Sequence, residues 1–210
     1  MKDKKVNIEH ACSFKDIFNV ASLHKTNINQ GFLQELGVIP LFFLYQAINR
    51  SPVSQLIIAK DKSGVVIGFV SISFNLPLLY RFFLLRYGGI VGFFAFPKLL
   101  KWARIKKVLN LFNYGKKKTQ KKVNVLGAEL LSIVVDKEWR GMGVAEQLFN
   151  ELMIIANTII KEKAFKIVVG KNLIPAQKFY EKMGAKKEGE VSIHGNSTSY
   201  IYVKKVTDET

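Results

Sequence analysis

The sequence predicts an α+β fold, and three observations carry that reading. Gln55 to Lys60 and Val65 to Phe74 are apolar runs on either side of Asp61-Lys62-Ser63-Gly64, a stretch suited to a tight turn, so they read as a β-hairpin. Leu130 to Asp136 (LLSIVVD) is apolar and rich in β-branched residues, as a strand buried on both faces would be, and it leads through glycines into a helical pattern. Lys187 to His194 and Ser199 to Val206, joined through Gly195-Asn196, form a closing hairpin. With 210 residues, 49% hydrophobic and 23% charged, the chain can bury a core and reads as one packed domain over 1–210 rather than a disordered segment.

In chain order, Val6 to Cys12 reads as a first strand and Ser13 as the N-cap of a helix carrying Ile17, Val20, Ala21 and His24 at helical spacing. A second helix is expected over Phe32 to Ile48, interrupted near Gly37 and Pro40. After the hairpin and the strand at 130–136, Val144, Leu148, Leu152, Ile155 and Ile159 mark the buried stripe of a helix of about five turns. Phe165 to Gly170 is another short strand. Pro175 to Met183 is a helix with proline in its first turn and Gly184 as its stop.

The single cysteine, Cys12, excludes an internal disulfide, and without a Cys-His pattern around it a buried structural thiol is the simpler reading. Met1 to Ala11 lacks the apolar core of a secretion signal, so the cytoplasm is the expected compartment. The net charge is +16, and twelve of the 32 Lys and Arg fall between Leu76 and Ala128, where there is no Asp or Glu. That basic, aromatic-rich segment (76–128) breaks the strand pattern and reads as an insertion before the central strand. Its longest uncharged run, Tyr87 to Pro97, has 11 residues against the roughly 20 that a spanning helix needs, so no transmembrane helix is expected. Three readings stand. Residues 76–122 could contact an anionic membrane peripherally, from the inner face of the cell membrane; they could form a packed layer or a homodimer contact; or they could meet nucleic acid, for which no binding motif accompanies the charge.

The residues after the central strand carry the chemistry. Asp136-Lys137-Glu138-Trp139 runs into Arg140-Gly141-Met142-Gly143-Val144-Ala145 and then a helix. A helix start offers unpaired N–H groups and a partial positive charge, and glycines let the backbone approach a ligand, so a diphosphate fits there. Taken alone, the glycines could equally make a ligand-free turn, and Arg140 could be a solvated surface residue.

These residues resemble the Q/R-x-x-G-x-G/A signature of the GNAT N-acetyltransferase superfamily, with Arg140, Gly143 and Ala145 in the defining places. Asn172, Ala176, Phe179, Tyr180 and Gly184 are similar to that family's N-x-x-x-A-x-x-F-Y-x-x-x-G-F segment, departing at Ala185 where Phe is usual. The resemblance implies a mixed, mostly antiparallel sheet flanked by helices and acetyl-CoA as cosubstrate, with no metal. It implies that Ile133, Val134 and Val135 pair with the pantetheine arm through their backbone and that Asn172 bonds the arm. It also implies that Arg140, Gly141, Met142, Gly143, Val144 and Ala145 hold the pyrophosphate, with Phe179 beside the coenzyme. Tyr180 would protonate the leaving thiolate. The chemistry agrees, because a hydroxyl of pKa about 10 can stabilise or protonate a leaving thiolate whose acid lies near 8.5; a purely packed aromatic is the alternative.

Attack by an amine needs a base. Some peptide-acetylating relatives carry a glutamate five residues before the family Asn, where this chain has Ile167, so Glu129 is the first candidate and His24 the second; each could equally be an ordinary polar residue. His24 to Gly37 resembles, more weakly, the opening of acetyltransferases of bacterial surface-polysaccharide biosynthesis, which implies an amino-sugar acceptor. Sugars, peptide amines and small polyamines all stay open, as does a CoA-binding regulatory module without turnover.

Overall fold

The computed structural model describes residues 5–10, 13–28, 37–99, 127–160, 163–194 and 197–206. Its strands are β1 (Asn7–Glu9), β2 (Ser54–Lys60), β3 (Val66–Ser73), β4 (Glu129–Val135), β5 (Ala164–Gly170), β6 (Lys186–His194) and β7 (Ser197–Lys205). Its helices are α1 (Phe14–Asn27), α2 (Val38–Arg50), α3 (Leu76–Leu99), α4 (Val144–Ile159) and α5 (Ile174–Lys182). One sheet takes the order β1-β2-β3-β4-β5-β7-β6, and among these strands only β4 and β5 run parallel.

Local chemistry sets the element boundaries. Ser13 Oγ accepts from the Asp16 N–H at 3.2 Å while Asp16 Oδ2 accepts from the Ser13 N–H at 3.0 Å, a capping box that starts α1. Ile17, Val20, Ala21 and His24 are all buried, as their spacing predicts. Asp61 Oδ1 accepts from the N–H groups of Ser63 and Val65, each at 2.9 Å, and so closes the β2–β3 hairpin. The core has two halves. Ile17, Leu41, Tyr45 and Leu79 pack on one face of the sheet, and Leu148, Phe149 and Leu152 of α4 on the other.

Three expectations are corrected, and the insertion gains a helix. The first strand is three residues long, and Cys12 lies outside the described residues, as do 32–36 of the expected second helix and Gly195-Asn196 of the closing turn. Pro40 does not interrupt α2, because it stands in the first turn, where no N–H is needed. The buried stripe of α4 turns away from Ile159, which is 47% exposed, toward Phe149 and Ala156, as a 3.6-residue period requires over four turns. Residues 76–99 form one continuous helix of 24 residues, long and apolar enough over Leu76–Phe93 to cross a membrane by length and composition alone. Arg81 and Arg86 both reach the outer surface of this helix.

Candidate active site

β4 is half of the site. Its ladder with β5 contains two pairs, Glu129↔Lys166 and Leu130↔Ile167, while β3 stays paired with it through Val135. Beyond Leu130 the parallel strands part, so the β5-facing backbone groups of the next five residues have no strand partner. The register with β3 shifts between Ser71 and Ile72, making Leu131 the extra residue of a bulge. Leu131, Ser132 and Ile133 are only half-buried, which corrects the expectation of a strand sealed on both faces. An open cleft of about 700 Å³ fills the gap. Its walls are residues 131–135, the loop at Arg140, Gly141 and Gly143, the first turn of α4, and Ala176, Phe179 and Tyr180 of α5.

The loop has the shape its glycines permit. Gly141 and Gly143 take φ of 75° and 76°, a left-handed conformation that disfavours side chains, and a Cβ on either would meet no protein atom within 4 Å. Gly143 is also the N-cap of α4 and offers no capping side chain, so the first N–H groups of that helix are left for a ligand. Glu146, in this first turn, lines the cleft and would repel an anion. Lys182 Nζ lies 2.9 Å from its Oε1 and offsets that charge, holding the carboxyl below its ordinary pKa. Arg140 turns its side chain along the loop: Nε donates to the Val135 carbonyl at 3.1 Å and Nη2 to Asn27 Oδ1 at 2.6 Å. The guanidinium thus fastens the loop to the end of β4 and to the last residue of α1.

Tyr180 packs between the rings of Phe179 and Phe149, at centroid distances of 5.4 and 6.4 Å, and is buried while lining the cleft. Burial pushes its phenol above the ordinary value, so Tyr180 lines the cleft as a neutral hydroxyl. Phe179, Val144 and Ala145 also line the cleft. Met142 is 48% exposed and Asn172 is exposed in the turn after β5; neither is part of the cleft wall.

Glu129 and His24 stand behind the wall rather than on it. Glu129 begins β4 at the end opposite the glycine loop and is buried, with one oxygen 3.0 Å from Lys166 Nζ. Burial raises its pKa, and the lysine opposes this in part. His24 is buried on α1, and desolvation, aided by the charge of Lys25, lowers it to about 4. Its Nδ1 is 2.6 Å from Tyr45 Oη, which is 3.0 Å from Ser132 Oγ, which is 2.7 Å from Ser71 Oγ. A hydrogen-bonded chain therefore runs from α1 through α2 to the bulge of β4, where Ser132 reaches the cleft. Sequence reasoning missed Tyr45, Ser71 and Ser132; the one signal was a lone serine inside the apolar run LLSIVV.

The family model of the GNAT acetyltransferase domain matches residues 78–184, just over half of the chain. No curated protein matches it in sequence. Solved structures match its fold. An N-acetyltransferase from Staphylococcus aureus superposes with a TM-score of 0.61 at 12% identity, covering 97% of this chain and 99% of that one. Arabidopsis thaliana NAA60 in complex with acetyl-CoA gives 0.60 at 15% identity, covering 96% and 99%. The spermidine/spermine N-acetyltransferase SpeG of Vibrio cholerae, in mutant forms, gives 0.56 at 16% identity, covering 96% and 94%.

Proposed function

Because this chain belongs to the GNAT acetyltransferase family, and is therefore an acetyl-CoA-dependent N-acetyltransferase, we propose that it acetylates the primary amine of an amino sugar of surface-glycan biosynthesis by direct attack on the thioester. The observation that carries the direct transfer is the parting of β4 from β5, which opens one cleft between the glycine loop and Tyr180. The diphosphate of the coenzyme would rest on the first N–H groups of α4 and the loop at Gly141 and Gly143. Its arm would lie along the β5-facing backbone of Ile133, Val134 and Val135, which has no strand partner, with Asn172 reaching in from the rim and Met142 holding the loop from outside. The sugar acceptor rests on the resemblance of His24 to Gly37, and the basic stretch 76–128 suits an acceptor that carries phosphate.

In the step itself, the amine nitrogen forms a bond to the acetyl carbonyl carbon, the C–S bond breaks, and the thiolate takes the proton of Tyr180 Oη. The proton lost by the amine goes to Glu129 through water. The shifts of the two candidate bases favour Glu129 over His24. Burial strengthens the carboxylate as a base and weakens the imidazole, whose pKa of about 4 leaves it a poor proton acceptor near neutrality. His24, with Tyr45 and Ser71, instead orients the Ser132 hydroxyl.

Thiol release from acetyl-CoA, measured with nucleotide-linked amino sugars, peptide amines and spermidine, tests the reading. Turnover should be highest with an amino sugar, and a peptide or polyamine that outruns every sugar overturns the acceptor. Transfer to no amine despite CoA binding would make the chain a CoA-binding module. Glu129→Gln should lose turnover in the same assay; if His24→Gln loses it and Glu129→Gln does not, the base is misassigned.

A further inference from the structure

We propose that the outward face of α3 is a docking surface for an anionic lipid bilayer. This helix is apolar on two sides. Leu76, Leu79 and Tyr87 are buried against the body of the fold, where Tyr87 meets Phe43 of α2 at a ring distance of 5.5 Å. On the far side, Leu78 is 47% exposed, Leu85 78% and Phe93 77%. At about 100° per residue these three and Gly89 form one stripe, and Arg81 and Arg86 fall about 70° to either side of it. Both arginines are exposed. Exposed apolar side chains with two arginines set among them, Leu84 and Ile90 lying beyond the arginines, suit a helix lying in an interface, the stems reaching acyl chains and the guanidinium groups the headgroups.

The packing argues against crossing. Leu79 is 0% exposed and Tyr87 7%, so drawing the helix through a membrane would strip it from its own domain. A second copy of the chain is a poorer occupant than a bilayer. Apposed stripes would bring Arg81 and Arg86 of two copies together, and residues 76–128 contain no acidic side chain to separate them, whereas acidic lipid supplies counter-charges to both arginines. The helix leaves the sheet after β3, whose Ser73 pairs with Glu129, so docking brings the Glu129 end of β4 close to the bilayer.

Co-sedimentation of the full chain with vesicles of phosphatidylcholine, alone or with phosphatidylglycerol, decides the matter. The chain should bind the acidic vesicles and be released as salt rises. The double variant Leu78→Ser and Leu85→Ser should lose at least tenfold in vesicle affinity while keeping the parent's thermal midpoint and CoA affinity, since both side chains are exposed. Arg81→Gln and Arg86→Gln should each lower affinity about fivefold. Equal binding to neutral vesicles, binding to neither, or full binding by the double leucine variant overturns the proposal. So does a dimer in light scattering that the leucine variant dissolves, which would assign the stripe to a second copy. Loss of CoA binding by the parent would count against the acetyltransferase reading and not against this one.

Discussion

Replacing Gly143 by alanine separates what the glycine loop does for folding from what it does for a ligand. The folding effect can be worked from the geometry. No protein atom lies within 4 Å of the added Cβ, so the strain is confined to the backbone at φ 76°. A left-handed residue with a side chain costs roughly 1–2 kcal/mol, and the lower chain entropy of unfolded alanine returns about 0.4–1 kcal/mol. The net is about 1 kcal/mol, or about 2–4 °C in melting temperature for a chain of this size. Gly64 supplies the control: its φ is 79°, its Cβ would also meet nothing within 4 Å, and it sits in the β2–β3 hairpin away from the cleft. Gly64→Ala and Gly143→Ala should therefore melt within a few degrees of each other. Only Gly143→Ala should lose CoA affinity, by tenfold or more in calorimetry, because its Cβ enters the space where the diphosphate would lie. Equal CoA affinity in both variants would falsify the phosphate-loop assignment. A drop of more than about 10 °C confined to Gly143→Ala would show the loop to be structural instead.

Tyr180→Phe should leave CoA affinity within about twofold and lower turnover by about one to three orders of magnitude; unchanged turnover would reduce the residue to packing. Lys182→Glu should weaken CoA binding several-fold in calorimetry at low salt, since it removes the partner that offsets Glu146 in the first turn of α4, and Glu146→Gln in the same background should restore it. Acid should destabilise the fold through His24. Its folded pKa of about 4 lies below the ordinary 6.5, so the unfolded chain binds the extra proton first, and stability is lost as pH falls from 6.5 toward 4. Denaturant melts at pH 7.5 and 4.5 should show the parent losing about 2 kcal/mol more than His24→Gln; equal losses would mean that His24 accepts a proton freely in the fold.

The parts legible in the sequence are those where one residue type answers one local demand. Gly143 and Gly141 are required by positive φ, Ser13 and Asp16 by an exposed helix start, and Ile17, Val20 and Ala21 by a single buried face. The illegible parts depend on what comes from elsewhere. The helix α3 was not legible as a helix because it is apolar both toward its own core and away from it, so the two faces cancel in any helical period. The half-exposure of Leu131 to Ile133 follows from where β5 parts from β4, which the run LLSIVV cannot encode. The chain from His24 to Ser71 joins α1, α2, β4 and β3 across steps of 21, 87 and 61 residues, so no spacing could reveal it.

Burial moves the ionisable groups around the cleft toward their neutral forms: the carboxyl of Glu129 and the phenol of Tyr180 upward, the imidazole of His24 downward. Near the glycine loop Arg140 is fastened across to Asn27, and Lys182 holds the carboxyl of Glu146 below its ordinary value. The cleft is thus electrically one-ended. An anionic ligand that enters it is met by helix N–H groups and Arg140 at one end and by neutral hydroxyls, uncharged backbone groups and apolar side chains along the rest. That asymmetry fixes the direction of a long ligand before any specific contact forms, with the charged group at the loop and the uncharged reacting group beside Tyr180. Reversing the polarity at one end alone, as Lys182→Glu does, should therefore weaken binding of intact CoA more than binding of its uncharged pantetheine fragment, measured by calorimetry with each. Equal weakening of both would show that the loop recognises shape and not charge.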